Sequence, residues 1–295
     1  MTLFNQTFEV IGRIRDDLMH AKDCTERLQT LRTCIQRIAV CDYCDKRHFS
    51  ESKLKKNNGL QSIFHSQSQF PPDIKADAKA LYFLIDRGIY NMNILRGINI
   101  YTKVTDGKRH KSSSYDSSTY RMNCNQYGMN HLVNGQWWPT QLSCGRDGAH
   151  GMPEAGIHGS TEGGAYSIIL SDGYKDEDHG NTIEYCGTAG SEPDKPSRAT
   201  ECMKQSLHNG NEVRVLRSAA MKKEQQYRPE RGFRLDGVYQ VVDEECVHVE
   251  TSMWRFTMRR LPGQDPIRYT GPEKRPSPYE VTAFDNSKAT AIARV

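Results

Sequence analysis

The sequence predicts an α+β protein in which a mainly helical N-terminal region precedes a curled β-sheet or barrel with flanking helices. Two observations carry this. From Phe4 to about Cys41, and again from Asp73 to about Ile98, apolar residues recur at three- and four-residue steps with charged residues between them, as in amphipathic helices. From Gly135 onward the pattern changes to short β-type runs separated by Gly and Pro, without the strand-helix alternation of a βαβ sheet. The boundaries that follow are 1–130 for the helical region, which ends in a flexible Ser-rich linker, 131–275 for the β-rich domain and 276–295 for a C-terminal tail.

In the first region Ile11, Ile14 and Leu18, then Leu28, Leu31, Ile35 and Ile38, mark one or two helices. Next comes CDYCDKRH, in which Cys41, Cys44 and His48 have the spacing of zinc ligands; His65, Cys34 or Cys24 could complete the set, and small buried thiols are the simpler alternative. Lys53 to Pro72 is polar, rich in turn residues and closed by Pro-Pro, and reads as a linker. Ala80, Leu81, Leu84, Ile85, Ile89 and Leu95 are the apolar positions of the second helical pattern, whose simplest role is a scaffold or a dock for a partner. Lys103 to Tyr120 is basic and Ser-rich, which suits a mobile segment that either grazes DNA phosphate or is plainly solvated.

In the β-rich domain the predicted strands are Ala165 to Leu170 paired with Thr182 to Cys186, then Glu212 to Arg217, Gly237 to Val242 and Met253 to Arg260. In the last, Trp254, Phe256 and Met258 alternate with Arg255, Thr257 and Arg259, so one face packs and the other meets solvent or phosphate. The one helical pattern is Ser197 to Asn209, with Ser197 as cap, Ala199, Cys202, Met203 and Leu207 on one side and Gly210 as stop. Past Pro262 the composition turns to Pro, Lys and Asp, and the tail reads as loosely packed.

Charged residues are 26% and hydrophobic residues 36% of the 295, so the chain can bury a core yet has segments outside it. A net charge of +4 permits nucleic-acid binding but is too small for attachment by bulk phosphate attraction alone, so specificity must come from a local site. Nine cysteines with no repeating spacing, and no secretory leader, suggest a soluble intracellular protein in a reducing compartment. No apolar run approaches the roughly 18 residues of a membrane span, which speaks against a membrane partner.

The most informative stretch is Ala155 to Gly190, AGIHGSTEGGAYSIILSDGYKDEDHGNTIEYCGTAG. Tyr174 and Tyr185 bracket Asp176, Glu177 and Asp178. Aromatic faces beside a fixed carboxylate are what a pocket needs to sandwich a planar base and accept a hydrogen bond from its exocyclic amine.

This stretch resembles the SRA (YDG) domain, a module of UHRF-type ubiquitin ligases, plant SUVH methyltransferases and fungal proteins that binds 5-methylcytosine in DNA. The resemblance runs from about Gly135 to Ile267 through seven motifs in the family's order: AGIHG at 155–159, GAYSIIL at 164–170, GY at 173–174, DHGN at 178–181, EVRVLRS at 212–218, LDGVYQVV at 235–242 and MWRFTMRR at 253–260. It implies an SRA-type curled β-barrel over 131–275, a nuclear, non-enzymatic reader of methylated DNA, and no cofactor.

By the same resemblance the modified base is flipped out of the duplex into a pocket. One buried methyl is worth only about 0.8 kcal/mol, so weighing it requires contact on all sides. Tyr174 and Tyr185 match the stacking aromatics, each worth on the order of 1–3 kcal/mol per base face. Asp176 matches the carboxylate that accepts the cytosine N4 amine; counting back from His179 selects it, whereas counting forward from Tyr174 selects Glu177, and the shorter side chain favours Asp176. Glu177 and Asp178 better fit a solvated acidic turn. Backbone groups of Ser171, Asp172 and Gly173 match those reading the rest of the base edge, and Cys186 stands where many relatives have Thr beside the methyl. Arg198 matches the finger that fills the vacated stack, opposite Glu154, where relatives place a small apolar residue. Lys195, Arg214, Arg217, Lys222, Lys223 and Arg255 are candidate phosphate contacts.

Two alternatives stand beside the reader. One is a modification-dependent nuclease, against which residues 1–130 offer no His-Asn-His or paired-carboxylate pattern. The other is a chromatin adaptor that recruits a protein partner through its N-terminal helices.

Overall fold

The computed structural model describes residues 2–105, 108–171 and 176–293. The chain divides into two compact units, 1–96 with 270–295, and 97–269. This differs from the division drawn from sequence: residues 97–130 belong to the second unit, and the segment from Thr270 returns to the first.

In the first unit, α1 (Leu3–Met19) is capped by Thr2, whose hydroxyl accepts from the Asn5 N–H, and buries Phe4, Ile11 and Ile14. Helix α2 (Thr25–Ile38) buries Leu31, Ile35 and Ile38. Short helices α3 (Lys46–Glu51) and α4 (Gln61–Phe64) follow, then α5 (Pro72–Asp86), which opens on Pro at its first turn. Arg32 of α2 grips both carboxylate oxygens of Asp73 of α5, at 2.6 and 3.2 Å. Helix α5 stops near Gly88, which has φ of 74°, so Ile89 and Leu95 lie beyond it rather than on it.

Two expectations and one alternative fail in this unit. The stretch 53–72 is no linker: Leu54, Leu60, Ile63 and Phe70 are buried in the same core as α1, α2 and α5. Cys41 and Cys44 are not a pair of zinc ligands, since their sulfurs are joined in a disulfide, and His48 is occupied in a capping box with Asp45. Among the described residues no cluster of three or more His, Cys, Asp or Glu could hold a metal. Nor is the C-terminal segment loose. It forms a helix, Pro278–Ala293, whose start is held by Arg275, buried against Asp77 (2.6 Å) and Glu280 (2.7 Å). Composition hides this, because the stabilising contacts are charge pairs rather than apolar periodicity.

The second unit opens with an antiparallel ribbon, β1 (Ile98–Thr105) and β2 (Lys108–Tyr115), in the segment expected to be mobile. It continues with β3 (Trp137–Trp138), α6 (Gln141–Arg146), β4 (Ile157–Ser160), β5 (Gly164–Leu170), β6 (Glu177–Asp178), β7 (Thr182–Cys186), α7 (Arg198–Asn209), β8 (Val213–Ser218), β9 (Phe233–His248) and β10 (Met253–Arg260). Eight of these strands form one sheet in the order β4-β5-β8-β9-β10-β7-β6, with β3 paired to β9. Register shifts interrupt the pairing within β4–β5, β8–β9 and β9–β10, irregularities of the kind that bend strands locally. Helix α7 has the predicted caps, Ser197 accepting from Thr200 N–H and Gly210 at φ 65°, and lets β8 run parallel to β5. Among the described residues, no helix is long and apolar enough to cross a membrane.

The predicted pairing of β5 with β7 is wrong. Strand β5 lies between β4 and β8, and β7 between β10 and β6. The segment between them crosses from one side of the sheet to the other, and its acidic end, β6, forms the hairpin with β7 instead. Arg214 and Arg217 are also misplaced as phosphate contacts, because β8 is buried along its whole length. Arg214 donates to the carbonyls of Cys124 (2.8 Å), Gly128 (2.8 Å) and Ala149 (3.1 Å), and its burial lowers its pKa to about 10. Arg217 holds Asp178 through two bonds of 2.7 and 2.6 Å and Asp236 through one of 3.0 Å, while Arg234 takes both oxygens of Asp236 at 2.6 and 2.8 Å. Burial opposes ionisation of Asp236, but the two arginines outweigh it and hold its pKa below the usual carboxylate range. Asp178, expected in a solvated turn, is thus a buried ion-pair partner.

Removing one partner from such a cluster leaves uncompensated buried charge, which typically costs about 3–5 kcal/mol. Arg217→Met should therefore lower the free energy of unfolding by that amount in a urea titration, whereas Lys223→Gln on the exposed loop should change it by less than about 0.5 kcal/mol. Equal stabilities for the two variants would contradict the role given to the cluster.

Candidate functional site

The crossover between β5 and β7 carries the candidate site. Of its expected residues, Asp172, Gly173 and Tyr174 lie outside the described residues. Asp176 is described in full. Its Oδ1 accepts from the Cys186 N–H at 2.8 Å, and among the described residues Oδ2 has no hydrogen-bond partner. Burial raises its pKa from 3.8 to about 6, opposed by the Cys186 bond and reinforced by neighbouring Asp178. Glu177 points the other way: it is exposed and lies 3.7 Å from His179. Of the two carboxylates left open by counting, Asp176 is the one that faces the interior.

Asp176 opens on a shallow, solvent-open cleft. Leu170, Ser171 and Asp178 form one side with it, and Met221, Lys222 and Gln225 the other. Met221 and Gln225 escaped sequence reasoning. They sit in a polar loop with no periodicity, 219–232, and Arg228 folds that loop back by donating to the carbonyls of Ala219 (2.9 Å) and Met221 (2.8 Å). Lys222, expected to touch phosphate, lies at the cleft itself.

Tyr185 and Cys186 are placed more deeply than expected. Tyr185 is only 6% exposed and belongs to the core cluster with Ile157, Leu170, Ile183 and Phe256, so it is not among the cleft-lining residues. A Cβ on Gly156 would lie 2.9 Å from its hydroxyl, so glycine there admits the ring. Cys186 is buried and meets the site through its backbone N–H; burial, with Asp176 nearby, raises its thiol pKa.

The outer residues are scattered over the surface of the unit. Glu154 is exposed on a loop tethered by Gln141, whose side chain donates to the carbonyls of Met152 (3.0 Å) and Ala155 (2.8 Å). Arg198 is exposed at the first turn of α7. Lys223 is exposed, Lys195 pairs with Glu192 at 2.5 Å, and Arg255 is shared between Glu184 (3.2 Å) and Glu245 (3.8 Å).

Residues 126–264 match the family model described as the SAD/SRA domain. The chain carries an SRA domain. Curated relatives align with it over this part: the E3 ubiquitin-protein ligase ORTHRUS 2 of Arabidopsis thaliana is 38% identical over 39% of this chain and 20% of its own length. The E3 ubiquitin-protein ligase UHRF1 of Bos taurus is 32% identical over 43% of this chain and 20% of its own. A UHRF1-like protein of Cryptococcus neoformans is 30% identical over 45% of each. The chain thus spans a fifth to under a half of these relatives. Among solved structures, the SUVH5 SRA domain bound to fully hydroxymethylated CG DNA is 22% identical with a TM-score of 0.41, covering 48% of this chain and 98% of that one. The modification-dependent TagI restriction endonuclease is 26% identical with a TM-score of 0.42, covering 48% and 54%.

The raised pKa of Asp176 has a stability consequence. The native state keeps this proton up to about pH 6, whereas the unfolded chain releases it near 3.8, so between those values the native state binds more protons and stability falls as pH rises. Above pH 6 the ionised carboxylate costs up to about 3 kcal/mol, at 1.4 kcal/mol per unit. Asp176→Asn should accordingly gain stability over the parent at pH 7.5, a gain that shrinks to nothing below pH 4. Urea midpoints at the two pH values check this, and a difference independent of pH would exclude it.

Proposed function

We propose that the SRA domain of this chain is a non-enzymatic reader of 5-methylcytosine in duplex DNA, acting on chromatin in the nucleus, and that it extrudes the modified base into the cleft beside Asp176. The observation that carries this is the state of that carboxylate. It is half-buried, anchored through Oδ1, without a hydrogen-bond partner at Oδ2 among the described residues, and raised in pKa by a burial that its bond to the Cys186 N–H only partly compensates. A donor supplied from outside would supply that compensation, and the N4 amine of cytosine is one. A hydrogen bond to a charged group contributes about 1.5–3 kcal/mol, comparable with the few kcal/mol needed to unstack a base. In this proposal Tyr174 provides the stacking face, and Tyr185, enclosed by the core, is the fixed wall behind Asp176. Arg198 and Glu154 meet the duplex on either side of the vacated position, and Lys195, Lys222, Lys223 and Arg255 supply phosphate contacts that orient without specifying.

Binding to otherwise identical duplexes with unmodified, hemimethylated and fully methylated CpG, at one fixed salt concentration, tests the proposal. The parent protein should favour a methylated form. Asp176→Ala should weaken that complex about 10- to 100-fold and erase the preference, leaving weak salt-sensitive binding. Equal affinity of the parent for all three duplexes would remove the proposal.

A further inference from the structure

We propose that the β1–β2 ribbon is a second DNA contact, gripping phosphates outside the base cleft; this extends the reading of the SRA domain as a DNA-binding unit. The two strands comprise eight residues each and contain Lys103, Lys108, Arg109, His110 and Lys111 but no carboxylate, and the two residues that join them, Asp106 and Gly107, add a single acid to these four basic residues and one histidine. Lys103 stands directly opposite His110, and Lys108 opposite Thr105, so Lys103, Lys108 and His110 share one face of the ribbon, and all three are exposed. Lys103 and Lys108 are diagonal neighbours on that face, an arrangement of like charges that is unfavourable unless something offsets it. Among the described residues no ion pair does so.

A second observation is independent of charge. The ribbon is a sheet of its own, and it leaves Ile100 41%, Tyr101 45% and Val104 63% exposed. A lone two-stranded ribbon is only marginally stable in water. At its base the Tyr115 hydroxyl donates to the Leu142 carbonyl (3.0 Å) and the Thr119 hydroxyl to the Gly97 carbonyl (2.8 Å). A two-stranded ribbon is one of the shapes the major groove of B-DNA admits. Strands of this length extend about 27 Å, beside a duplex that offers one negative charge per roughly 1.7 Å. A partner with dense negative charge and a groove of matching width satisfies both observations, and duplex DNA is that partner.

The test is the salt dependence of binding by the full chain to a duplex with one methylated CpG. Each lost phosphate contact reduces the slope of log affinity against log salt by about 0.9. The double variant Lys103→Gln/Lys108→Gln should reduce the slope by up to about 1.8 while leaving the melting temperature and the ratio of methylated to unmodified affinity unchanged; Lys103→Arg/Lys108→Arg should restore it. Lys46→Gln/Lys79→Gln, which removes two exposed charges from the helical unit, should leave the slope unaltered. An unchanged slope in the ribbon variant, or an equal loss in the helical-unit variant, overturns the proposal. If the parent protein shows no methyl preference, the cleft reading fails, and the slope still decides the ribbon.

Discussion

The SRA domain depends on a water-excluded cluster of two arginines and two carboxylates. Arg217 of β8 reaches Asp178 at one end and Asp236 of β9 at the other, and Arg234 completes the charge balance. The same cluster fixes both walls of the cleft. On one side it pins Asp178, two residues beyond Asp176, and the Tyr239 hydroxyl donates to the Gly180 carbonyl at 2.6 Å to hold the end of the acidic crossover. On the other, Arg217 lies over the ring of Tyr227 at 5.2 Å and Arg234 donates to its carbonyl at 2.6 Å, which secures the loop bearing Met221, Lys222 and Gln225. Desolvating four charges is unfavourable, so the cluster stands because the pairing is nearly complete. Among the described residues, Asp176 has no ion-pair partner beside this strongly paired cluster.

Arg214 works in the same way without a carboxylate. By donating to the carbonyls of Cys124, Gly128 and Ala149 it satisfies backbone acceptors that would otherwise be buried without partners. Arg214, Arg217 and Arg234 are consequently spent on architecture. Exposed positive charge on the domain lies instead on lysines such as Lys222 and Lys223, on Arg198 and on Lys103 and Lys108 of the β1–β2 ribbon. The modest net charge of the chain therefore understates how unevenly that charge is distributed.

Much of this was legible in the sequence, and the failures have physical causes. The alternation in Met253–Arg260 and the caps of α7 are local signals, and both survive in the structure. Resemblance singled out Asp176, and geometry then separates it from Glu177. The pairing of β5 with β7 was misjudged because sequence neighbours were assumed to be sheet neighbours, whereas the partner of β5 lies beyond α7. The packing of 53–72 was invisible because Leu54, Leu60, Ile63 and Phe70 follow no helical or strand period. Arg214 and Arg217 were read outward because charge usually is; nothing local announces that β8 is buried on both faces. Met221 and Gln225 reach the cleft through a loop whose path is set by Arg228, a tertiary contact with no counterpart in the spacing of residues.

The return of residues 270–295 to the helical unit makes the SRA-bearing segment an insertion rather than an appendage. Two covalent crossings, near Arg96 and near Thr270, join the units, so any hinge between them must bend a pair of chain segments in concert. A nick at one crossing would leave both halves attached through the other. A fragment ending at residue 130 would carry the ribbon's strands while lacking the returning helix that packs against α2, and it would represent neither unit faithfully.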